Sequence, residues 1–282
     1  MSTIIKNNNA LAEQVKQWKS KGETIGFVPT MGALHDGHKS LIEKAKNDCD
    51  RVVVSIFVNP IQFAPTEDFD KYPRQLESDA EICKKIGVDL IFAPDENEMY
   101  PDGRKNITTV VPPETFQNKL CGKSREGHFN GVATVVLKLF DIVAPDKAYF
   151  GQKDAQQLLI IKKMAKDLNL PVEVIACPIV RDEDGLALSS RNAYLSDEDR
   201  LKAVTVSKVL KKIEQEYILG EKLGIRLIES SLNLLHPDVK IEYLEFVDAN
   251  TMDKVEILKP DTLVAIAVKV SDVRLIDNIL IK

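Results

Sequence analysis

The chain is poor in the features that would assign it to several common classes. Its four cysteines, Cys49, Cys83, Cys121 and Cys177, lie far apart with no C-x-x-C pair, which removes the usual signatures of a zinc knuckle or a dithiol redox centre and leaves buried free thiols as the expectation. No stretch approaches the ~20 consecutive apolar residues of a membrane span. The opening "MSTIIKNNNALAEQ" has no basic segment followed by an apolar run, so no secretory signal is read there; a reducing cytoplasm is the expected compartment. Positive charge is not in excess either. The formal net charge is −5 and the pI about 5.6, which argues against nucleic acid as a main partner. No internal repeat or low-complexity tract is present. What remains is 282 residues, 44% hydrophobic and 29% charged, enough apolar material for one large domain or two smaller ones.

The apolar pattern gives the organisation. Leu11, Val15 and Trp18 fall close to helical spacing, with Gly22 as a stop. "TIGFVP" reads as a strand, residues 37–48 as a helix and the β-branched "RVVVSIFV" as a buried strand, together a β-α-β unit. The alternation continues with a helix near "RQLESDAEICKKIG", a strand "VDLIFAP", a helix near "GVATVVLKLFDIV", a strand "KAYFG", a helix "DAQQLLIIKKMAKDL" and a strand "VEVIAC". This predicts an α/β fold, a Rossmann-like parallel sheet with helices on both faces. After Val180 a polar loop, a helix-rich segment and then "VKIEYLEFVD", "TLVAIAVKV" and "VRLIDNILI" predict a smaller C-terminal α+β domain, dividing the chain into residues 1–179 and 180–282. "NPIQFAPTEDFDKYPR", Asn59 to Arg74, with three prolines and no periodicity, is the main candidate for a mobile loop.

Only four histidines occur, yet two stand three residues apart in "FVPTMGALHDGHKSLI", where a strand passes through a glycine-containing loop into a helix. In an open parallel sheet, ligands bind beyond the carboxyl ends of strands, near helix N-termini whose amides are unpaired and partly positive. Gly32 allows the turn and Gly37 a close approach of phosphate, while His35 and His38 offer imidazole donors where negative charge builds in a transition state. A bare H-x-x-H is more often a pair of packed histidines at a turn; the other motifs decide.

"PTMGALHDGH" is similar to the H-x-G-H signature of nucleotidyltransferase-like α/β enzymes, a group that includes class I aminoacyl-tRNA synthetases. With "FVNPIQF", "REGHFNGVATVV", "YFGQKDAQQL" and "RDEDGLALSSRNAYLS" in order behind it, the chain from Thr24 to Ser196 resembles the pantothenate synthetase (pantoate–β-alanine ligase) family. The C-terminal part adds only a compatible length and pattern. The resemblance implies an ATP site formed by Met31, Gly32, Ala33, Leu34, His35, Asp36, Gly37 and His38, by Gly151, Gln152, Lys153 and Asp154, and by Val180, Leu188, Ser189, Ser190 and Arg191, with the C-terminal domain closing over it. His38, His35, Lys153 and Arg191 are the expected catalytic groups, and Gln62 and Gln157 the residues for pantoate and β-alanine.

The chemistry suits these assignments. A flexible ammonium at Lys153 can reach phosphate oxygens, Asp154 can cap amides or hold a ribose hydroxyl, and the Arg191 guanidinium binds oxygens in a bidentate way. A carboxamide both donates and accepts, so Gln62 and Gln157 can orient a hydroxy acid without the desolvation cost of an opposing charge. The family more usually has Glu at Gln152, which puts any role of that carboxylate in doubt here, and Met at Leu188, a swap that conserves apolar volume. His128, beside Arg125, fits a ligand contact or a local structural role; His236 reads as a loop residue. The resemblance further implies ATP as substrate with Mg2+ held mainly by its phosphates, no protein residues being assigned to a metal, small-molecule partners only, and a homodimer. It implies a reaction in which the pantoate carboxylate takes AMP from ATP and the amine of β-alanine then displaces AMP. Two alternatives stand beside it: a nucleotidyltransferase whose product keeps the nucleotide, and a nucleotide-binding regulatory module without turnover.

Overall fold

In the computed structural model, which describes residues 2–65 and 67–282, strand and helix alternate from the start: β1 (Thr3–Ile5), α1 (Asn8–Lys19), β2 (Ile25–Thr30), α2 (Asp36–Asp48), β3 (Arg51–Ile56), α3 (Leu76–Ile86) and β4 (Leu90–Phe92). Three short helices, α4 (Glu96–Met99), α5 (Glu114–Gln117) and α6 (Leu120–Ser124), precede α7 (His128–Val143), β5 (Lys147–Gly151), α8 (Ala155–Asp167) and β6 (Glu173–Cys177). Then come α9 (Asp197–Ile218), α10 (Gly224–Ser231), β7 (Lys240–Asp248), β8 (Thr262–Val270) and β9 (Val273–Leu280). The chain divides into two compact units, neither of them one continuous stretch. The first takes the chain up to Pro113 with Arg125–Gly151 and Ile160–Cys177; the second takes Glu114–Ser124, Gln152–Leu159 and Pro178–Lys282.

The first unit is the Rossmann-like layer. Its six strands are all parallel, in the order β1-β4-β3-β2-β5-β6. Alternate residues of the central strands face opposite ways. Val28, Val52 and Val54 join Leu41, Ile42, Ala45 and Cys83 of α2 and α3 in one core, while Phe27 turns to the other face and meets Phe140 of α7 edge-on, ring centroids 6.3 Å apart. Helices thus cover both faces, and this is why the central strands read as nearly unbroken apolar runs. From β2 the sheet grows outward through β3 and β4, and from its neighbour β5 it grows the other way through β6. The carboxyl ends of β2 and β5 therefore flank the topological switch point, where such sheets bind ligands.

The second unit is α+β. An antiparallel sheet in the order β7-β8-β9 packs Val264, Ile266 and Val268 against Ala203, Val209, Leu210 and Ile213 of α9 and Leu227 of α10. Ser196 caps α9, its hydroxyl accepting the Asp199 N–H at 3.1 Å, and Asp197, Glu198 and Asp199 fill the first turn, where carboxylates favour the helix dipole. All four cysteines are free; Cys83, Cys121 and Cys177 are buried and Cys49 is half-buried. Among the described residues no helix is long and apolar enough to cross a membrane.

Candidate active site

Between Thr30, where β2 ends, and Asp36, where α2 begins, the chain passes from sheet to helix through a left-handed step at Gly32 (φ +83°) and Ala33 (φ +51°). A Cβ at Gly32 would stand 2.9 Å from Asp79 Oδ2 and 3.1 Å from Ile56 Cγ2, so glycine serves both the turn and the close approach of a carboxylate. Asp79, on α3, is fully buried. It accepts the Ala33 N–H at Oδ2 (2.9 Å) and the Leu34 N–H at Oδ1 (2.8 Å). The Thr30 hydroxyl accepts the Gly32 N–H (3.2 Å) and donates to the Ser55 carbonyl (2.7 Å). Three consecutive amides that a phosphate loop would offer to an anion are bound to side chains instead.

The histidines follow the same logic. His35 is the N-cap of α2, and its Nδ1 accepts the Gly37 N–H at 3.1 Å; His38 Nδ1 reaches back to accept the His35 N–H at 3.3 Å. This is a reciprocal capping box made of imidazoles in place of the usual hydroxyl and carboxylate. The rings lie 4.1 Å apart, centroid to centroid, tilted by 43°. Because Nδ1 accepts in each, each neutral ring carries its proton on Nε2, and Nε2–H is its donor. Asp36 turns its charge to Lys39 (2.6 Å) and is exposed; the hydrogen bond from Lys39 holds its carboxyl below the usual range.

Gln62 joins this turn through Met31. It lies in a 3-10 turn, Pro60–Gln62, after β3, is 8% exposed, donates from Nε2 to Met31 Sδ (3.2 Å) and accepts at Oε1 from Asn59 Nδ2 (2.9 Å). Asn59 also donates to the Gly131 carbonyl (3.2 Å) and accepts the Tyr100 hydroxyl (2.7 Å). Burial, with the Glu96 charge adding to it, pushes the Tyr100 phenol well above its ordinary range, so it stays a donor. Helix α7 closes against the turn at Gly131, where a Cβ would come within 2.4 Å of the Ile61 carbonyl oxygen and 2.7 Å of Gln62 Cα. His128 supports the same segment. Arg125 can only donate, so its Nη1 contact with His128 Nε2 (2.8 Å) fixes the proton on Nδ1, which donates to the Gln62 carbonyl (2.7 Å). Arg125 also grips Glu67 with two bonds, 2.6 and 2.9 Å. Burial pulls the Glu67 carboxyl upward, but its bonds to Arg125 outweigh this and hold it below the usual range. Thr66, inside the segment expected to be mobile, lies outside the described residues.

In the second unit Gln152–Asp154 form a 3-10 turn directly after β5, with Lys153 half-buried and Asp154 exposed. Gln152 donates from Nε2 to Asn278 Oδ1 at 3.1 Å, a bond that a glutamate there could not donate. The adjacent glutamines of α8 differ in environment. Gln156 is buried and donates to the Phe116 and Lys119 carbonyls (2.8 and 2.7 Å), whereas Gln157 is half-exposed. Leu188 donates its N–H to the Val180 carbonyl (3.0 Å) and Arg181 bridges Ala187, making a small hairpin that leads into Ser189. The Ser189 hydroxyl accepts the Arg191 N–H (3.3 Å) and starts a 3-10 helix, Ser190–Tyr194, with Ser190 and Arg191 half-buried.

Within the first unit Met31, His35, His38 and Gln62 thus form one connected constellation. Sequence reasoning did not find Asp79, Asn59 or Tyr100. Asp79 carries no local motif, and the Tyr100 and Asn59 side chains meet across 41 positions of sequence; the signal that could have pointed to Asn59 is its place directly before the proline of "NPIQF".

The pantoate-beta-alanine ligase family matches residues 3–280. The pantothenate synthetase of Caldicellulosiruptor saccharolyticus is 50% identical over 281 residues, 99% of each chain. Among solved structures, the pantothenate synthetase of Thermus thermophilus superposes with a TM-score of 0.92 at 41% identity, covering 99% of both chains. The pantoate-beta-alanine ligase of Francisella tularensis, complexed with beta-gamma ATP and beta-alanine, gives a TM-score of 0.82 at 38% identity over 99% of this chain and 98% of that one.

Proposed function

The chain belongs to the pantoate–β-alanine ligase family and is a ligase of that kind, and from this premise we propose that it condenses pantoate with β-alanine through a pantoyl adenylate. In the first step a pantoate carboxylate oxygen bonds to the α-phosphorus of ATP, the bond from that phosphorus to the bridging oxygen breaks, and pyrophosphate leaves with the electron pair. In the second, the neutral amine of β-alanine attacks the acyl carbon and loses a proton, while the carbon–oxygen bond to AMP breaks. The products are pantothenate, AMP and pyrophosphate.

One observation carries this reading: the imidazole capping box at the start of α2, beside the switch point of a parallel sheet. An anion approaching a triphosphate needs donors where charge accumulates, and with the Gly32, Ala33 and Leu34 amides already bound, the imidazole Nε2–H groups are assigned as donors to it. His38 is assigned the largest share, to the phosphoryl group or the departing pyrophosphate, with His35 beside it. On the strength of the motif match Lys153 and Arg191 are assigned to the same ATP. Magnesium arrives as part of the substrate, MgATP, held by phosphate oxygens and water. Gln62, locked by Asn59 and Met31, and Gln157 are assigned to the organic substrates, the hydroxy acid above all. Family membership supports two further expectations, a homodimer and a cytoplasmic location, which sedimentation and fractionation test.

Incubation with MgATP, β-alanine and pantoate labelled with oxygen-18 in its carboxylate tests the reaction. The expected result is pantothenate and AMP in equal amounts, with one labelled oxygen in the AMP phosphoryl group. Label in inorganic phosphate together with ADP would instead mean an acyl phosphate, and a product that retains the nucleotide would mean a nucleotidyltransferase.

A further inference from the structure

Strand β9 carries Asp277 and Asn278 side by side, 5% and 3% exposed. Neighbours on a strand face opposite ways, and these two reach different segments. The Asn278 carboxamide is given over entirely to the turn that holds Lys153. Its Nδ2 donates to the carbonyls of Gln152 (3.0 Å) and Lys153 (2.9 Å), and its Oδ1 accepts the Gln152 side chain (3.1 Å). The Asp277 carboxylate accepts Arg181 in a bidentate pair, 2.6 and 2.9 Å, and Oδ1 also accepts the N–H of Asn278 (2.8 Å). Arg181 in turn donates to the Gly185 carbonyl (3.2 Å) and sits in the bridge with Ala187, at the base of the hairpin that leads into Ser189. Strand β9 also packs against the 3-10 helix Ser190–Tyr194.

We propose that Asp277 and Asn278 are positioning residues for the reaction on ATP: Asn278 sets the backbone of Lys153, Asp277 sets the Ser189–Arg191 segment through Arg181, and one step along β9 thereby fixes the two segments relative to each other. The inference rests on the assignment of Lys153 and Arg191 to ATP made above. A lysine stem is flexible, so the reach of its ammonium is set by where its backbone is held, and a misplacement of about 1 Å can lower a rate by about 100-fold. Asp277 and Asn278 lie in no motif that marked the site, and Arg181 opens the matched "RDEDGLALSSRNAYLS" without a role assigned to it there.

A double-mutant cycle on the full chain tests it, with AMP formation from MgATP, pantoate and β-alanine as the readout. Asn278→Asp keeps the shape and the acceptor for Gln152 but sets an anion against two carbonyl oxygens. It should lower kcat by about tenfold, roughly the effect of one lost charge-orienting contact, with the KM for pantoate within about twofold of the original. In a Lys153→Ala background the same substitution should change kcat by less than about twofold, since the group it positions is gone. Asn278→Ser, which keeps one donor, should fall between the two and carries the cycle if the aspartate variant folds poorly. Equal factors in both backgrounds, or an unchanged kcat for the Asn278 variants, would overturn the positioning role and leave the ATP assignment standing. A Lys153→Ala enzyme with full turnover would overturn the ATP assignment itself, and the Asn278 arm with it. Asp277→Asn combined with Arg191→Ala makes the matching cycle for the other arm, with the same criteria.

Discussion

The turn after β2 and the turn after β5 solve the same problem in opposite ways. In the first, the groups needing partners are amides, and side chains accept from them: Thr30 for Gly32, Asp79 for Ala33 and Leu34, His35 for Gly37 and His38 for His35. In the second, the groups needing partners are carbonyls, and one carboxamide, Asn278, donates to both. The difference teaches how each can meet an anion. On the proposed assignment, a turn whose amides are bound would meet phosphate with its side chains, here two imidazoles tilted by 43° to each other. A turn held by its carbonyls offers whatever charge its side chain carries, and its accuracy depends on the group holding the backbone.

The comparison can be broken first at His38. His38→Ala should lower AMP formation by about two orders of magnitude, the effect of losing one well-placed donor worth ~3 kcal/mol, with the circular dichroism spectrum unchanged; near-normal turnover would mean that the turn does not act through its imidazoles. Next is Asp79→Asn, which turns a donor toward an amide that had a carboxylate partner. A loss of about 1–3 kcal/mol in urea unfolding is expected for the unsatisfied buried group, together with a fall in kcat. Gly131→Ala sharpens the contrast by disturbing Gln62 without substituting a residue of either turn: overpacking against the Ile61 carbonyl should cost about 1–3 kcal/mol and raise the KM for pantoate more than that for ATP. Tyr100→Phe removes one donor from Asn59, and a loss of about 1 kcal/mol with a small rise in the same KM is expected.

The smallest effect concerns acid. Glu67 is held below its ordinary value near 4.5, so its pairing with Arg125 contributes fully above that pH and fades as the pH falls through the lowered value. The destabilisation caused by Arg125→Gln should therefore be smaller at pH 3.5 than at pH 7; an equal difference at both would show that the pairing does not hold that carboxyl down.

The alternation of strands and helices was legible because "RVVVSIFV" and "GVATVVLKLFDIV" are mostly buried and show it in composition, and α2 differs from the helix expected over residues 37–48 only by including Asp36 at its start. Strand β1 left no trace. It has three residues, "TII", two of them exposed, too short and too wet for a periodicity to show. The histidine turn was legible as a motif but its construction was not, since Asp79 is one of three carboxylates, with Glu77 and Glu81, in an ordinary amphipathic helix. The same holds for Asn278, whose partners are 126 and 125 positions away. Local pattern reports what a residue's own neighbours require, and groups that hold a distant backbone leave no such pattern. The sequence also suggested two consecutive halves, whereas Glu114–Ser124 and Gln152–Leu159 group with the C-terminal residues; excursions of this kind are decided by packing partners far along the chain.

At Gly131, main chain meets main chain, with no side chain in the gap that could swing aside. Any atom added there displaces Gln62 as a whole, so, on the proposed assignment of Gln62 to the acid, redesign toward a bulkier acid would gain little by altering that junction. Met31 is the opposite case, a soft, unbranched neighbour of the same carboxamide; on the proposed assignment of Gln62 to the acid, substitutions at Met31 would shift that carboxamide by degrees.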